Sequence, residues 1–301
     1  MQDHVIIYFN ESKALALKLQ KALSWPAVKV TPKKYSFGEF TLEVNQEVKA
    51  KNAYIVTKAT RETSKHLLEI FLVADILTKH GVKGIKLIAP YLPFSRQDRR
   101  INVNRSVASE VIATLLEKAG INEIITFDLH NERILDFYNL RVTHLSMLDA
   151  FVTHFKHLNL SDIAIVAPDY GRFRAANYVK ERFPNASLIQ ISKERLPSGE
   201  VVVTDIAGDA QGRTAIIIED IIDTGNTLIS AIKKLYEQGV KKCYVAATHG
   251  IFSGDALTKL TALNVDGIVI SNTVLTVKES AKLKIIDITP ELVNGLKRAQ
   301  T

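Results

Sequence analysis

Several residue types are scarce at once: one cysteine, one tryptophan and two methionines in 301 residues, with 14 glycines and 8 prolines. A single thiol excludes an internal disulfide and a cysteine-based zinc cluster, and Cys243, followed by Tyr244 and Val245, reads as a buried strand thiol. Uncharged stretches such as Gly267 to Val277 are much too short to span a bilayer, and Met1-Gln2-Asp3-His4 carries no basic leader region. No low-complexity tract, Pro/Gly linker or simple repeat interrupts the chain. Neither sign of charge dominates: 39 basic against 32 acidic residues leave +7, which suits small anionic substrates and is too mild to argue for nucleic acid. The resulting expectation is a cytoplasmic protein with neither a membrane nor a nucleic acid as partner.

What is present is alternation. Apolar runs at Val5–Phe9, Ala53–Thr57, Ile85–Ala89, Ile124–Phe127, Ile163–Ala167, Ser187–Ile191, Ala215–Ile218, Tyr244–Thr248 and Gly267–Ile270 are separated by segments with helical periodicity, the signature of βαβ units and parallel sheets. Length suggests about two domains. The halves share a rhythm, so the expected architecture is a duplicated α/β unit, with domains at 1–144 and 145–301, a boundary near Arg141 to Ser146, and a last segment that can pack back on the first domain.

Residues Thr214 to Leu228 are the most informative. Ile216, Ile217 and Ile218 read as a strand covered on both faces. Glu219 and Asp220 end it, because two carboxylates are costly to bury unpaired; they belong at the carboxyl edge, where open α/β sheets bind ligands. From Thr227 a helix follows, with Leu228, Ala231, Ile232 and Leu235 on one face and Gly239 as its stop. Asp223, Thr224, Gly225, Asn226 and Thr227 therefore lie where backbone N–H groups and the helix dipole attract a phosphate monoester. Glu219 and Asp220 can accept from a sugar diol or hold hydrated Mg²⁺. The same turn also reads as a plain helix cap, and with no lysine after the glycine it is not a Walker A loop.

Other segments are ambiguous one by one. Ser95-Arg96-Gln97-Asp98-Arg99-Arg100 follows a strand, and its guanidinium forks suit phosphate oxygens, yet such a charge run is more often a solvated turn. Asp128 and His130 share a face if extended and can hold Mg²⁺ or orient phosphate, although a strand-end histidine is more commonly a hydrogen-bonding residue. Pro168-Asp169-Tyr170-Gly171 reads as a turn. Lys193 and Arg195, ahead of Leu196-Pro197-Ser198-Gly199, look like a charged hairpin tip. Tyr35 and Phe37 pass for strand or interface residues.

Taken in order, these segments resemble the ribose-phosphate diphosphokinases, the enzymes that make phosphoribosyl diphosphate (PRPP). TAIIIEDIIDTGNTL is similar to the PRPP motif shared with type I phosphoribosyltransferases. PYLPFSRQDRR resembles the family's ATP-binding loop, Asp128-Leu129-His130 its metal and ATP site, Val166 to Gly171 a motif near metal and ribose, and Ile191 to Arg195 the start of a mobile catalytic loop. Tyr35-Ser36-Phe37-Gly38-Glu39 is similar to a segment that supplies adenine contacts from a neighbouring subunit, with Phe37 standing where the family carries an acid. Ser106 to Glu110 departs from the pattern, family members more often carrying a basic residue there. With residues 247–254 and 286–290 also alike, the likeness spans nearly the whole chain.

The resemblance implies two similar phosphoribosyltransferase-like domains, each a mostly parallel sheet flanked by helices. It implies transfer of the β,γ-diphosphoryl group of ATP to the C1 hydroxyl of ribose 5-phosphate, with AMP released. Lys193 and Arg195 become the catalytic residues; Tyr35, Phe37, Glu39, Arg96, Gln97, Asp98, Arg99 and His130 the ATP contacts; Asp169, Glu219, Asp220 and the five residues Asp223, Thr224, Gly225, Asn226 and Thr227 the ribose 5-phosphate contacts. His130 and Asp169 become the Mg²⁺ environment, and the assembly a homo-oligomer built from dimers. Two other readings stay open: a type I phosphoribosyltransferase, which needs neither Arg96-Gln97 nor Lys193-Arg195, and a catalytically silent regulatory homologue.

Overall fold

Continuous runs of β-branched residues become the inner strands of two sheets in a computed structural model that describes residues 2–100, 102–195, 201–274 and 277–299. The chain divides into one unit of residues 1–145 with 289–301 and a second of residues 146–288. In the first, the order is β1 (Gln2–Tyr8), α1 (Lys13–Leu23), β2 (Ala27–Lys34), β3 (Phe40–Val44), β4 (Ala50–Val56), α2 (Thr63–Lys79), β5 (Gly84–Ile88), α3 (Ala108–Lys118), β6 (Glu123–Phe127) and β7 (Arg141–Leu145). The second holds α4 (Leu148–His157), β8 (Ile163–Ala167), α5 (Phe173–Lys180), β9 (Ser187–Arg195), β10 (Val201–Ala207), β11 (Thr214–Ile222), α6 (Asn226–Glu237), β12 (Lys242–Gly250), α7 (Ala256–Ala262), β13 (Gly267–Ser271) and β14 (Leu283–Ile286). The last helix, α8 (Thr289–Arg298), groups with the first unit and packs on α1 and β7.

The first sheet runs β3-β2-β1-β4-β5-β6-β7 and the second β10-β9-β8-β11-β12-β13-β14. These are the same order, strand for strand, and in each only the outermost hairpin is antiparallel, β2 with β3 and β9 with β10. The two similar, mostly parallel α/β halves are thus present. Parallel strands need both faces covered, and the sequence supplies the cover: Ile216, Ile217 and Ile218 of β11 are fully buried, as are Ile232 and Leu235 of α6 to within 1%. Each such side chain contributes about 1.5–3 kcal/mol relative to exposure.

The elements the sequence did not announce are mostly at sheet edges. Ala27 to Lys34 contains Pro32 and three lysines, yet forms β2. It pairs with β1 only over Ala27–Lys29, and Pro32 falls where the β1 side has been left behind, so its missing N–H breaks no bond there. Residues 141–146, expected to hold the boundary, contain β7, paired in parallel with β6, and the division falls after Leu145. β14 and the short α7 were also unannounced. No described helix is long and apolar enough to cross a membrane.

Cys243 lies on β12 with no exposed surface; burial, then the nearby Asp266, pushes its thiol up to about 12. The thiolate is the reactive form. Under native conditions Cys243 is expected to be silent to a colourimetric thiol reagent over an hour and to titrate as one thiol in guanidinium. Rapid native labelling would contradict the burial.

Candidate active site

In the second sheet the chain passes from β8 to β9 on one side and later adds β11 on the other, leaving a crevice at the carboxyl ends of β8 and β11, the place where open α/β sheets receive ligands. β8 stops at Ala167, whereas β11 continues to Ile222 along β12, with Glu219 opposite Ala247 and Ile222 opposite Gly250. Glu219 and Asp220 therefore do not end the strand, as their charge suggested. They occupy its tip, where the edge once paired with β8 is open, so carboxylates can sit within a strand without being sealed in a sheet.

Asp169 follows β8 directly. Its Oδ1 accepts from the Arg172 N–H at 3.1 Å, capping a 3₁₀ turn over Tyr170–Arg172 that leads into α5. A Cβ at Gly171 would approach that Oδ1 at 3.3 Å, so the small residue leaves the carboxylate room. The other oxygen, Oδ2, accepts from Lys193 Nζ at 3.1 Å. Lys193 lies within β9, paired with Val203 of β10. Arg195 is the last residue of β9; its side chain, and residues 196–200 beyond it, lie outside the described residues. Arg172, absent from the sequence-based set, points Nη1 at Asp220 Oδ1 from 3.8 Å.

Three carboxylates thus share the crevice with two cations. Burial first, then Asp220 and Asp169, hold the Glu219 carboxyl well above the usual carboxylate range, and Lys193 offsets this only in part. Immediately after the acids, Asp223–Thr227 carries the chain into α6. Gly225 takes φ +74°, the left-handed region that suits glycine, and a Cβ there would meet Leu260 Cδ1 at 3.3 Å. The segment after β12 braces this loop: Ile251 and Phe252 N–H donate to the Ile222 carbonyl at 2.9 and 3.0 Å, and Ser253 N–H to that of Asp223 at 3.1 Å.

The remaining expected residues belong to the first unit and fall into two groups. Ser95–Arg100 and Asp128–His130 leave the adjacent strands β5 and β6. Asn131 Nδ2 donates to Asp98 Oδ2, tying the two loops, and Ser109 anchors the Gln97 carbonyl through its N–H at 3.3 Å and its hydroxyl at 2.8 Å. Asn131 was not singled out from sequence, and Ser109 only as part of the segment Ser106 to Glu110 that departs from the family pattern. Arg96, Gln97, Arg99 and His130 are exposed, and Asp128 takes φ +29°, a strained value for a non-glycine residue at a strand end. The second group, Tyr35, Phe37 and Glu39, surrounds a shallow recess of about 430 Å³ with Gly38, Phe40 and Leu68. It sits at the tip of the β2–β3 hairpin, where Phe37 is fully exposed at φ +70°. The structure does not bring the two groups together within one chain, since β1 and β4 stand between β2 and β5.

A family model described as the N-terminal domain of ribose phosphate pyrophosphokinase matches residues 4–120, and one described as the phosphoribosyl synthetase-associated domain matches residues 181–301. A ribose-phosphate pyrophosphokinase from Aquifex aeolicus is 31% identical over 268 residues, 88% of this chain and 86% of the relative. The chain belongs to the ribose-phosphate pyrophosphokinase family. The Oceanobacillus iheyensis enzyme of that name is 30% identical over 287 residues, 95% of this chain and 90% of its own. The crystal structure of phosphoribosylpyrophosphate synthetase from Mycobacterium smegmatis matches with a TM-score of 0.90 at 25% identity, covering 99% of both chains.

For a member of this family the donor chemistry of the crevice matters. Among the described residues no group of three or more His, Cys, Asp or Glu side chains has the geometry of a metal cage. Magnesium does not require one: it keeps several waters and takes one or two carboxylates plus substrate phosphates. Asp169, Glu219 and Asp220 fit that demand, and the repulsion acting on Glu219 is what a cation relieves. The imidazole of His130 fits less well, being a poor ligand for a hard cation.

Glu219→Gln removes one of three crowded acids, so it is expected to raise Tm at pH 7 by about 2 °C or more, read by calorimetry. The folded state holds the Glu219 proton more tightly than the unfolded state, so the wild type regains stability as pH falls toward the usual carboxylate range and the difference shrinks. A variant less stable than wild type at pH 7 contradicts the crowding.

Proposed function

We propose that the chain transfers the β,γ-diphosphoryl group of ATP to the C1 hydroxyl of ribose 5-phosphate, giving PRPP and AMP. What carries this reading is the acid-bearing strand tip of β11 running directly into the Asp223–Thr227 loop and the start of α6. The first turn of α6 contains no acidic side chain, so its N–H groups and the Thr224 and Thr227 hydroxyls receive the 5-phosphate, while Glu219 and Asp220 accept from the ribose 2- and 3-hydroxyls.

In the first unit, Arg96, Gln97 and Arg99 take the ATP phosphates, with His130 beside them. Asp98, engaged by Asn131, holds the loop in shape. The Tyr35–Phe37–Glu39 recess takes the adenine by stacking. From β2 to β5 is three strand spacings, roughly 14 Å, a separation that supports this recess serving the ATP of a neighbouring subunit in a homo-oligomer built from dimers.

The C1 oxygen attacks the β-phosphorus and its proton passes to solvent; the bond from that phosphorus to the bridging oxygen breaks, and the oxygen stays on AMP. Lys193 leaves Asp169 and, with Arg195, gathers over the transferring group, spreading its negative charge as water is excluded. Mg²⁺ would supply charge neutralisation to the ATP phosphates and a lower pKa to the C1 hydroxyl, Asp169 being the carboxylate that would hold it and His130 the weaker of the two expected contacts.

Incubation with Mg²⁺, ATP and ribose 5-phosphate is expected to release AMP, read by chromatography; a folded chain giving none is a silent homologue. Lys193→Ala is expected to lower kcat about 10²–10³-fold while both KM values stay within about threefold. Unchanged turnover removes Lys193 from the mechanism.

A further inference from the structure

The recess at the tip of the β2–β3 hairpin is walled by Tyr35, Phe37, Gly38, Glu39 and Phe40, together with Leu68 of α2. The turn is closed by the Tyr35 N–H, which donates to the Glu39 carbonyl at 2.8 Å, so those two main-chain groups are already engaged. Between them Phe37 is held at φ +70° with its ring fully exposed. That conformation is costly for a bulky side chain, and strain of this kind collects where a surface is used to clamp a ligand.

Which base such a surface accepts depends on the groups that meet the base edge. Ring faces and methyl groups discriminate little, because every nucleobase has a π-face and stacking on an aromatic side chain tolerates any of them. Among the described residues that line the recess, two carry polar side-chain ends. A carboxylate only accepts, so Glu39 finds a partner on each base: the amino group of adenine, cytosine or guanine, or the ring N–H of uracil. The Tyr35 hydroxyl both donates and accepts, and it too suits any edge. Phe37 stands where the family carries an acid, so a second acceptor is missing from the tip. A pocket that reads its ligand through dedicated hydrogen bonds rejects the wrong one by about 10⁴–10⁵, whereas an apolar pocket manages about 10–200-fold. This recess is of the second kind, and at about 430 Å³, open at the tip of a turn, it excludes neither a purine nor a pyrimidine by size.

We infer that Phe37 and the recess around it bind the base of the diphosphoryl donor by its face, so that the chain uses purine and pyrimidine nucleoside triphosphates alike. This rests on the reading of the chain as a diphosphoryl transferase with this recess as its base site. Selection of the donor then falls to the triphosphate, taken by the arginine loop, and the base tunes affinity without reaching the transfer step. With every donor the C1 oxygen attacks the β-phosphorus, and the bridging oxygen leaves on the matching nucleoside monophosphate.

The test is a steady-state comparison of ATP, GTP, CTP and UTP with the full-length protein, ribose 5-phosphate and Mg²⁺, reading release of each nucleoside monophosphate by chromatography. The four kcat/KM values are expected to lie within about thirtyfold of one another, with the differences in KM and kcat nearly constant. Phe37→Ala is expected to raise KM about tenfold for all four donors, since each loses the same stacking face. A preference beyond about thirtyfold between any two donors overturns the inference while PRPP synthesis stands, and this outcome needs only the wild type. Phe37→Ala that leaves all four KM values unchanged, or raises one far more than the others, also overturns it. A folded wild type that releases monophosphate from no donor overturns the diphosphoryl-transfer reading itself, and this inference with it.

Discussion

Parallel pairing of β8 with β11 sets Asp169 beside Glu219 and Asp220, and the charges of the second unit's crevice are arranged around the resulting repulsion. Like charges in one partly desolvated place must be paired, neutralised or protonated. All three remedies are visible: Lys193 pairs with Asp169, Arg172 faces Asp220, and Glu219 is displaced toward its protonated form. A crevice held in this condition is poised for hydroxyl donors and for cations, which relieve it. A rigid loop directly downstream, with the positive end of α6 behind it, offers the complementary site for an anion. A sugar phosphate is a molecule with both demands.

The duplication explains why one fold yields two unlike sites. Both sheets follow the same strand order, so each unit presents the same set of loop positions at its carboxyl edge. What differs is which loops carry chemistry. In the first unit the candidate residues emerge after β5 and β6 and at the β2–β3 hairpin; in the second they cluster after β8 and along β9 and β11. The edge hairpins diverge most. One ends in an exposed aromatic turn, and the other holds Lys193 in its ladder. An edge strand has backbone groups free on one side and tolerates irregular register, as the shift near Val203 and Asp205 in β10 illustrates, and Pro32 is tolerated in the stretch of β2 that extends past its pairing with β1.

Legibility in the sequence followed burial. The inner strands β1, β4, β5, β6, β8, β11, β12 and β13 are apolar runs, and period alone locates them. The strands β2, β3, β7 and β14 are shorter of apolar residues or mixed with charge, because only part of each is covered, and a half-covered strand leaves a weak pattern. The candidate site was legible to the same degree. Asp169, Lys193, Glu219 and Asp220 were each recognisable from their motifs, as were Arg96 and His130. Arg172 and Asn131 were not, since a lone arginine before a helix or an asparagine after a histidine carries no pattern of its own.

The sequence by itself determined most of the inner strands, their alternation with helices and the kinship of the chain, because these are properties of short stretches read in register. Only the tertiary structure decided that Arg172 faces Asp220, that Asn131 ties the Asp98 loop and that the tip of β11 stays open where β8 ends. Those facts depend on which strands lie side by side. Strand order is chosen by the packing of whole faces against one another, an energy summed over residues far apart in the chain, and no local pattern records it.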